Sequence, residues 1–471
     1  MYNNILGCIY LIYANYSARY IVYFTILGEV ILKLSTFIKG IHPKEFKELT
    51  QFKSIEQLPL PKEVFIPLQQ HIGAPCKPLV AKGDLVKTGQ MIGRSDSFVS
   101  SPVHASITGK VKAVDNFQHP LGHKVSMVHI VRSDEEEWKL LQIPENWETT
   151  DNDILNRLIC DAGIVGLGGA AFPTHVKLSP PPEKPIDSFI LNGCECEPFL
   201  TADHRMMLEM ADEVLIGMSM LMKILEVKDG YIGVENNKPD AIEILTQRIQ
   251  TLNLNFKVVP LQVKYPQGAE KMLIDAVLGR RVPTGGLPMD VGAVVNNVGT
   301  AVAVYDAIIN GKPIIERVLS VTGDGIMNPK NVMARIGTPF KVITDYCDGI
   351  SENASFLYMG GPMMGITQWS LDIPIIKATS GIVCRTDEID KVEEYPCIQC
   401  GHCVSACPMF LVPSRIAKYA ENKQWDNANK FGIMNCVECG SCAFECPAHI
   451  PLVQWIRIGK SKVGLMGRDK A

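Results

Sequence analysis

Residues 397–408 read CIQCGHCVSACP, and residues 436–447 read CVECGSCAFECP. Each run is C-x2-C-x2-C-x3-C-P, the bacterial ferredoxin spacing for a [4Fe–4S] cluster, so two copies imply two clusters. A tight turn carrying the first three cysteines presents three thiolates to three corners of one cubane. The fourth cysteine heads a segment that leads away and reaches the other cluster. Cys397, Cys400, Cys403 and Cys446 therefore belong to one cluster, and Cys436, Cys439, Cys442 and Cys407 to the other. Pro408 and Pro447 open the following segments without an N–H to satisfy. A zinc site, with ligands usually drawn from two C-x2-C pairs, leaves the cysteine before each proline unexplained.

The chain has 471 residues, 46% hydrophobic and 20% charged, with a formal net charge of −4. At roughly 150 residues per domain this suggests about three domains, each able to bury a core. Of 15 cysteines, most fall in the two runs, which speaks for metal in a reducing compartment rather than a disulfide framework. The mild acidity gives no electrostatic ground for a nucleic-acid partner. Residues 1–34 are apolar but broken by Asn15, Ser17, Arg19 and Glu29. They read as an N-terminal extension, either a weak membrane anchor or a gene start placed too early. Beyond them no apolar run is long enough to span a bilayer.

Paired clusters carry electrons singly and handle no hydride, so a two-electron cofactor belongs upstream. From Val64 to Val131, short apolar runs alternate with glycine turns, as in a compact all-β module. It is similar to the barrel-sandwich fold of biotinyl and lipoyl carriers, with a hairpin tip near Ser100–Ala105 that lacks a carrier lysine. Residues 151–335 alternate helical and strand patterns, an α/β domain with a mainly parallel sheet. In it, residues 188–193 and 317–323 read as strands, and 201–225 as one amphipathic helix.

Residues 163–174, GIVGLGGAAFPT, follow a helix and precede only a short turn, which argues against a Rossmann fingerprint. Gly166, Gly168 and Gly169 still permit close approach of backbone to a flat ring or a phosphate. The segments LNGCECEP (191–198), YPQGAEK (265–271) and VNNVGT (295–300) fall at strand ends or helix starts, where ligands of open α/β sheets sit.

Together these motifs resemble the flavin- and NADH-binding subunit of respiratory complex I. With two ferredoxin repeats behind them, and with KGIHP (39–43) and the barrel-sandwich module ahead, the order looks like the C subunit of the Rnf ion-translocating electron transport complex. The resemblance covers roughly residues 35–460. It implies an α/β multidomain chain: a barrel-sandwich module over 35–140, an α/β FMN/NADH-binding domain over 141–335, and a small β-grasp-like segment over 336–390. A helical two-[4Fe–4S] ferredoxin domain follows over 391–459, and then a basic, solvated tail over 460–471.

It also implies site roles. Gly166, Gly168 and Gly169 would line the FMN ring and phosphate, and Lys177 would meet flavin or phosphate. Asn192 and Glu195 would face the flavin from the other side. Gly268 and Glu270 would lie near the nicotinamide. Asn296, Asn297 and Thr300 would meet the flavin phosphate and ribitol. Three departures from the family pattern bear on the nicotinamide contacts: Cys194 for aspartate, His175 for glycine, and Ala269 for glutamate.

The implied activity is an electron relay between NAD(H), non-covalent FMN and two [4Fe–4S] clusters. The implied setting is peripheral, on the cytoplasmic side of a cell inner membrane, among integral and peripheral subunits and with a ferredoxin-type carrier as indirect partner. The same motifs would also serve a soluble diaphorase subunit of a hydrogenase or formate dehydrogenase, or a flavin-less subunit that only wires clusters together.

Overall fold

The computed structural model describes residues 34–386 and 393–468, together with strands Tyr23–Ile26 and Glu29–Leu32, which pair antiparallel. The expectations for residues 1–34 otherwise lie outside the described residues. Among the described residues no helix is long and apolar enough to cross a membrane.

The β module has two sheets. Strands Glu63–Pro67, Lys124–Arg132, Gly109–Gln118 and Leu85–Val86 form one, and Lys77–Pro78, Met91–Arg94 and Val103–His104 the other. Alternate residues point inward, so Val64, Ile66, Ile92, Val111, Val128 and Ile130 close one core. The hairpin tip is not free, because residues 100–109 are all buried. Ser106 donates to the Ile336 carbonyl (2.5 Å), and Arg335 to the Ser106 carbonyl (3.1 Å).

The α/β domain is built on a parallel sheet in the order Phe256–Leu261, Asp229–Glu235, Ser188–Asn192, Ala293–Asn297. Both faces are covered, which explains the unbroken apolar reading of its central strand. Phe189 and Leu191 join a large core with Met207, Leu215, Met218 and Val298, while Ile190 joins Leu273, Ile274 and Val295 on the other face. The long helix expected over 201–225 is two, Ala202–Glu209 and Ala211–Ile224. At Met210 the backbone leaves the helical region (φ −131°), a break that the continuous apolar spacing conceals.

Strand Glu316–Thr322, read from sequence with the α/β domain, lies in a different sheet. That sheet runs Ile366–Thr367, Phe356–Met359, Gly381–Arg385, Glu316–Thr322, Lys330–Arg335, Ile55–Gln57, so its strands come from both sides of residue 335. Helix Phe340–Tyr346 covers it through Phe340 and Ile343, over Leu319, Val321 and Ile382.

The ferredoxin module packs helices Pro413–Glu421 and Leu452–Arg468 around Ile416, Ala420, Ile433 and Ile456, with Cys403 and Cys442 in the same core. The tail read as solvated thus begins as helix. Gly459 lies so close to Ala420 that an added Cβ would come within 2.8 Å of it.

Candidate functional site

Strands Ser188–Asn192 and Ala293–Asn297 are neighbours, yet the chain leaves the first toward Asp229–Glu235 on its other side. Their C-terminal ends therefore flank the topological switch point of the sheet, where such folds bind ligands. Asn192, Asn296 and Asn297 stand there. The loop of residues 163–174 lies beside them, since a Cβ added to Gly168 would sit 3.4 Å from that of Asn297. The loop is fastened in its middle: the Leu167 amide donates to Thr300 Oγ1 (3.0 Å), and Arg317 donates to the Leu167 carbonyl (3.4 Å). Its tip, Gly168, Gly169 and Ala170, is exposed.

The other expected site residues are placed as follows. Lys177 donates to Glu270 Oε1 and to the Val295 carbonyl, both at 2.8 Å. Asn192 donates to the Gly268 carbonyl (2.8 Å), which joins the strand end to the 265–271 turn. Glu195 turns its carboxylate onto the N-terminus of helix Ala202–Glu209, accepting from the amides of Asp203 (2.7 Å) and His204 (3.1 Å). Asn297 caps the helix that follows it, accepting from Gly299, and donates to Asp203 (2.6 Å). Burial and the nearby Glu195 push the Asp203 carboxyl up to about 7. Asn296 is buried, and its Nδ2 has no partner among the described residues; the same holds for Gln267 Nε2.

Several residues that sequence reasoning passed over shape this region. Two buried lysines hold the carbonyls of the turn at 194–200. Lys47 donates to Glu195 (2.8 Å), Glu197 (3.0 Å) and Leu200 (2.6 Å), and Lys238 to Cys194 (2.6 Å). Burial lowers the pKa of Lys47, with the charge of Lys238 adding to the effect. Glu197, quoted in the motif but given no role, accepts from the amides of Met363 (3.2 Å) and Met364 (2.9 Å). Burial raises its pKa to about 7. Tyr265 stands beside it, 1% exposed, and donates its hydroxyl to the Cys439 carbonyl (2.6 Å). The KGIHP segment straps the same junction: Lys39 donates to the Val404 carbonyl, Gly40 to that of Ala406, and Ile41 pairs with Tyr265.

The two cysteine turns share one backbone. Gln399 and Glu438 both have φ +57°, and Gly401 and Gly440 have +79° and +85°. These left-handed positions wind each C-x2-C-x2-C tightly and suit glycine. Cys407, Cys436, Cys439 and Cys442 line one apolar cavity with Leu411, Ile416, Val437 and Ile456. Cys403 and Cys446 pack in the module's core, and the Tyr395 amide bonds to the Ala448 carbonyl, while Cys397 and Cys400 are exposed. Among the described residues no three His, Cys, Asp or Glu side chains are gathered as for a single metal ion.

The residues present fit the groups that the motifs imply. Four cysteines line one apolar cavity, where burial, reinforced by Cys439, pushes the Cys436 thiol up to about 11 and also raises Cys407 and Cys442, so that their thiolates would need a bound cationic centre to balance them. At the switch point, a buried unpaired amide and an open glycine tip suit a ligand with acceptor oxygens.

The family model for the Nuo51 FMN-binding domain matches residues 159–306, and that for a 4Fe-4S dicluster domain residues 396–451. Fold and site thus define a flavin- and iron–sulfur-binding electron-transfer protein. The model for the RnfC barrel sandwich hybrid domain matches residues 35–136. The chain is 48% identical over 442 residues to the C subunit of the proton-translocating ferredoxin:NAD(+) oxidoreductase complex of Clostridium ljungdahlii, covering 93% of this chain and 96% of that one. It is also 48% identical over 435 residues to the C subunit of the Na(+)-translocating ferredoxin:NAD(+) oxidoreductase complex of Acetobacterium woodii, covering 92% and 98%. The chain belongs to this RnfC family. An NAD+-reducing [NiFe]-hydrogenase in the H2-reduced state aligns with a TM-score of 0.46 and 17% identity, over 66% of this chain and 64% of that one.

Proposed function

We propose that this chain is the peripheral electron-relay subunit of an ion-translocating ferredoxin:NAD(+) oxidoreductase complex, on the cytoplasmic side of the cell membrane. Bound FMN would exchange a hydride with NAD(H) and electrons singly with the clusters. The protein's part is placement. Gly166, Gly168 and Gly169 with Asn192, Asn296 and Thr300 would hold the flavin, and Gly268 and Glu270 would border the nicotinamide. Lys177 would orient Glu270, while Glu195 and Asn297 would act through the helix ends they cap. The two sets of four cysteines would hold the clusters.

The observation that carries the reading is the seam at Tyr265. Two residues separate it from Gly268 in the flavin region, and its hydroxyl is bonded to the Cys439 carbonyl. The turn at Cys436–Cys442 is therefore the inner one, joined to the flavin region through Tyr265. The turn at Cys397–Cys403, with two exposed cysteines, is the outer one, open to a neighbouring protein of the complex. Anaerobic preparation of the complex should give about eight irons and one releasable FMN per copy of this chain, and NADH should bleach the flavin. Intact clusters without flavin would overturn the reading. Release from membranes by alkaline wash, and protease access only in inverted vesicles, would test the setting.

A further inference from the structure

Lys377 is 1% exposed and has no carboxylate partner among the described residues. Its ammonium donates to the carbonyls of Gly163 and Pro102, both at 2.7 Å, and to Ser101 Oγ (3.4 Å). These acceptors belong to two modules: Ser101 and Pro102 to the buried tip of the β module, and Gly163 to the first residue of the 163–174 loop. A second route leads from Lys377 to that loop. Its carbonyl accepts from Arg317, which also donates to the Leu167 carbonyl. Its amide donates to Gln70 (3.0 Å). Gly163 sits at φ +72°, and an added Cβ would meet Pro102 O at 2.4 Å and Lys377 Nζ at 3.0 Å. The loop therefore starts in a slot made by the β-module tip and Lys377.

We infer that Lys377 is a positioning residue for the flavin-binding loop, and that the β-module tip, which in carrier domains bears a lysine, serves here as the wedge against which that loop is set. The inference rests on the reading of residues 163–174 as the flavin loop. As an ammonium, Lys377 has a proton for each of its three acceptors; as a neutral amine it has one too few, and the latch loosens.

The groups around it are His71, His104 and Cys76 from the β module, Cys160 and Asp161 from helix Asn152–Asp161, His175 from helix Thr174–Lys177, and Arg317. Burial takes His104 down to about 3 and His71 to about 4, and lowers His175. It raises Cys76 and Cys160, and brings Lys377 to about 7. Between pH 6 and 8 the charge that changes most at this junction is that of Lys377.

The test uses the full chain, reconstituted anaerobically, with FMN as probe. Lys377→Met should weaken FMN binding about tenfold, the equivalent of about 1.4 kcal/mol. It should speed amide exchange in residues 163–173 while leaving exchange in 401–468 and the iron content unchanged. In the wild type, FMN affinity should fall as pH rises from 6 to 8. Lys377→Arg, which keeps its charge, should bind FMN with a flatter pH profile, the ligand's own phosphate titrating alike in both. Wild-type affinity and loop exchange in Lys377→Met overturn the inference. So does a wild-type pH profile identical to that of Lys377→Arg, which also decides the matter if Lys377→Met does not fold. A wild type that binds no FMN defeats the flavin reading instead, and loop exchange in Lys377→Met still tests the latch.

Discussion

The two cysteine turns carry one motif and one backbone, yet the chain treats them differently. Around the inner turn, Cys439 and Cys442 are buried, Tyr265 bonds the Cys439 carbonyl, and Lys460 bonds both the Cys436 carbonyl (2.7 Å) and Glu438 (2.9 Å). Around the outer turn, residues 393–400 are all exposed, and Ile398, between its first two cysteines, is 69% exposed. Local spacing determines what each turn can ligate. Long-range packing determines what each is connected to, and among the described residues it is the inner turn that is bonded to the flavin domain through a buried side chain, that of Tyr265.

Removing one cysteine from each turn should separate the two most clearly. Cys439→Ala should lose about four of about eight irons, and NADH should then reduce neither cluster, although dithionite still reduces the survivor. Cys400→Ala should lose as much iron yet leave the remaining cluster reducible by NADH. Electron paramagnetic resonance after each reductant reads both outcomes, and equal behaviour of the two variants would erase the distinction between inner and outer turns.

Glu197 gives the next largest effect. Its pKa stands near 7, above that of an exposed carboxyl, so between pH 5 and 7 the folded chain keeps a proton that the unfolded chain releases. Stability therefore falls as pH rises through that window, by an amount on the order of 3 kcal/mol. Glu197→Gln, always neutral, should remove its own share of the slope measured by anaerobic urea unfolding at pH 5 and pH 8, leaving that of Asp203. A slope unchanged in the variant would show that the seam does not titrate.

What was legible in the sequence was whatever is written locally. The cysteine spacing, the glycine loop and the apolar run of strand Ser188–Asn192 each fall within a dozen residues, and the family models match over the same regions. What was not legible depends on partners far along the chain. Lys47, Lys238 and Lys377 look like any lysines until their carbonyl acceptors are seen. Lys460 read as a solvated end because nothing near it in sequence shows that helix Leu452–Arg468 lies against the inner turn. Strand Ile55–Gln57 is too short to leave a period-two signal, and it joins a sheet whose other strands lie far beyond it.

Tyr265→Phe is a finer perturbation, since it removes one hydroxyl and keeps the ring. The lost bond to the Cys439 carbonyl is worth about 1 kcal/mol. Flavin reduction by NADH should be unchanged, the following reduction of the inner cluster several-fold slower, and the outer cluster's spectrum unaltered. A change in the outer spectrum alone would mean that the seam has been drawn on the wrong side.

The smallest effect belongs to Lys460. Its ammonium donates to the carbonyl of one inner-turn cysteine and to the glutamate beside it, and Arg457 reaches the same glutamate at 3.2 Å. A positive charge held there favours the reduced, more negative cluster, because cluster potentials respond to local charge and hydrogen bonding. Lys460→Met leaves Arg457 in place, so the inner potential should drop by only about 30 mV, half a decade in a one-electron equilibrium. Among the described residues no comparable hydrogen bond from a lysine or arginine side chain to the Cys397, Gln399 or Cys400 backbone occurs, so the outer potential should stay fixed. Redox titration followed by paramagnetic resonance resolves the two signals. Equal shifts in both would mean that Lys460 acts through the module as a whole and not through the turn it touches.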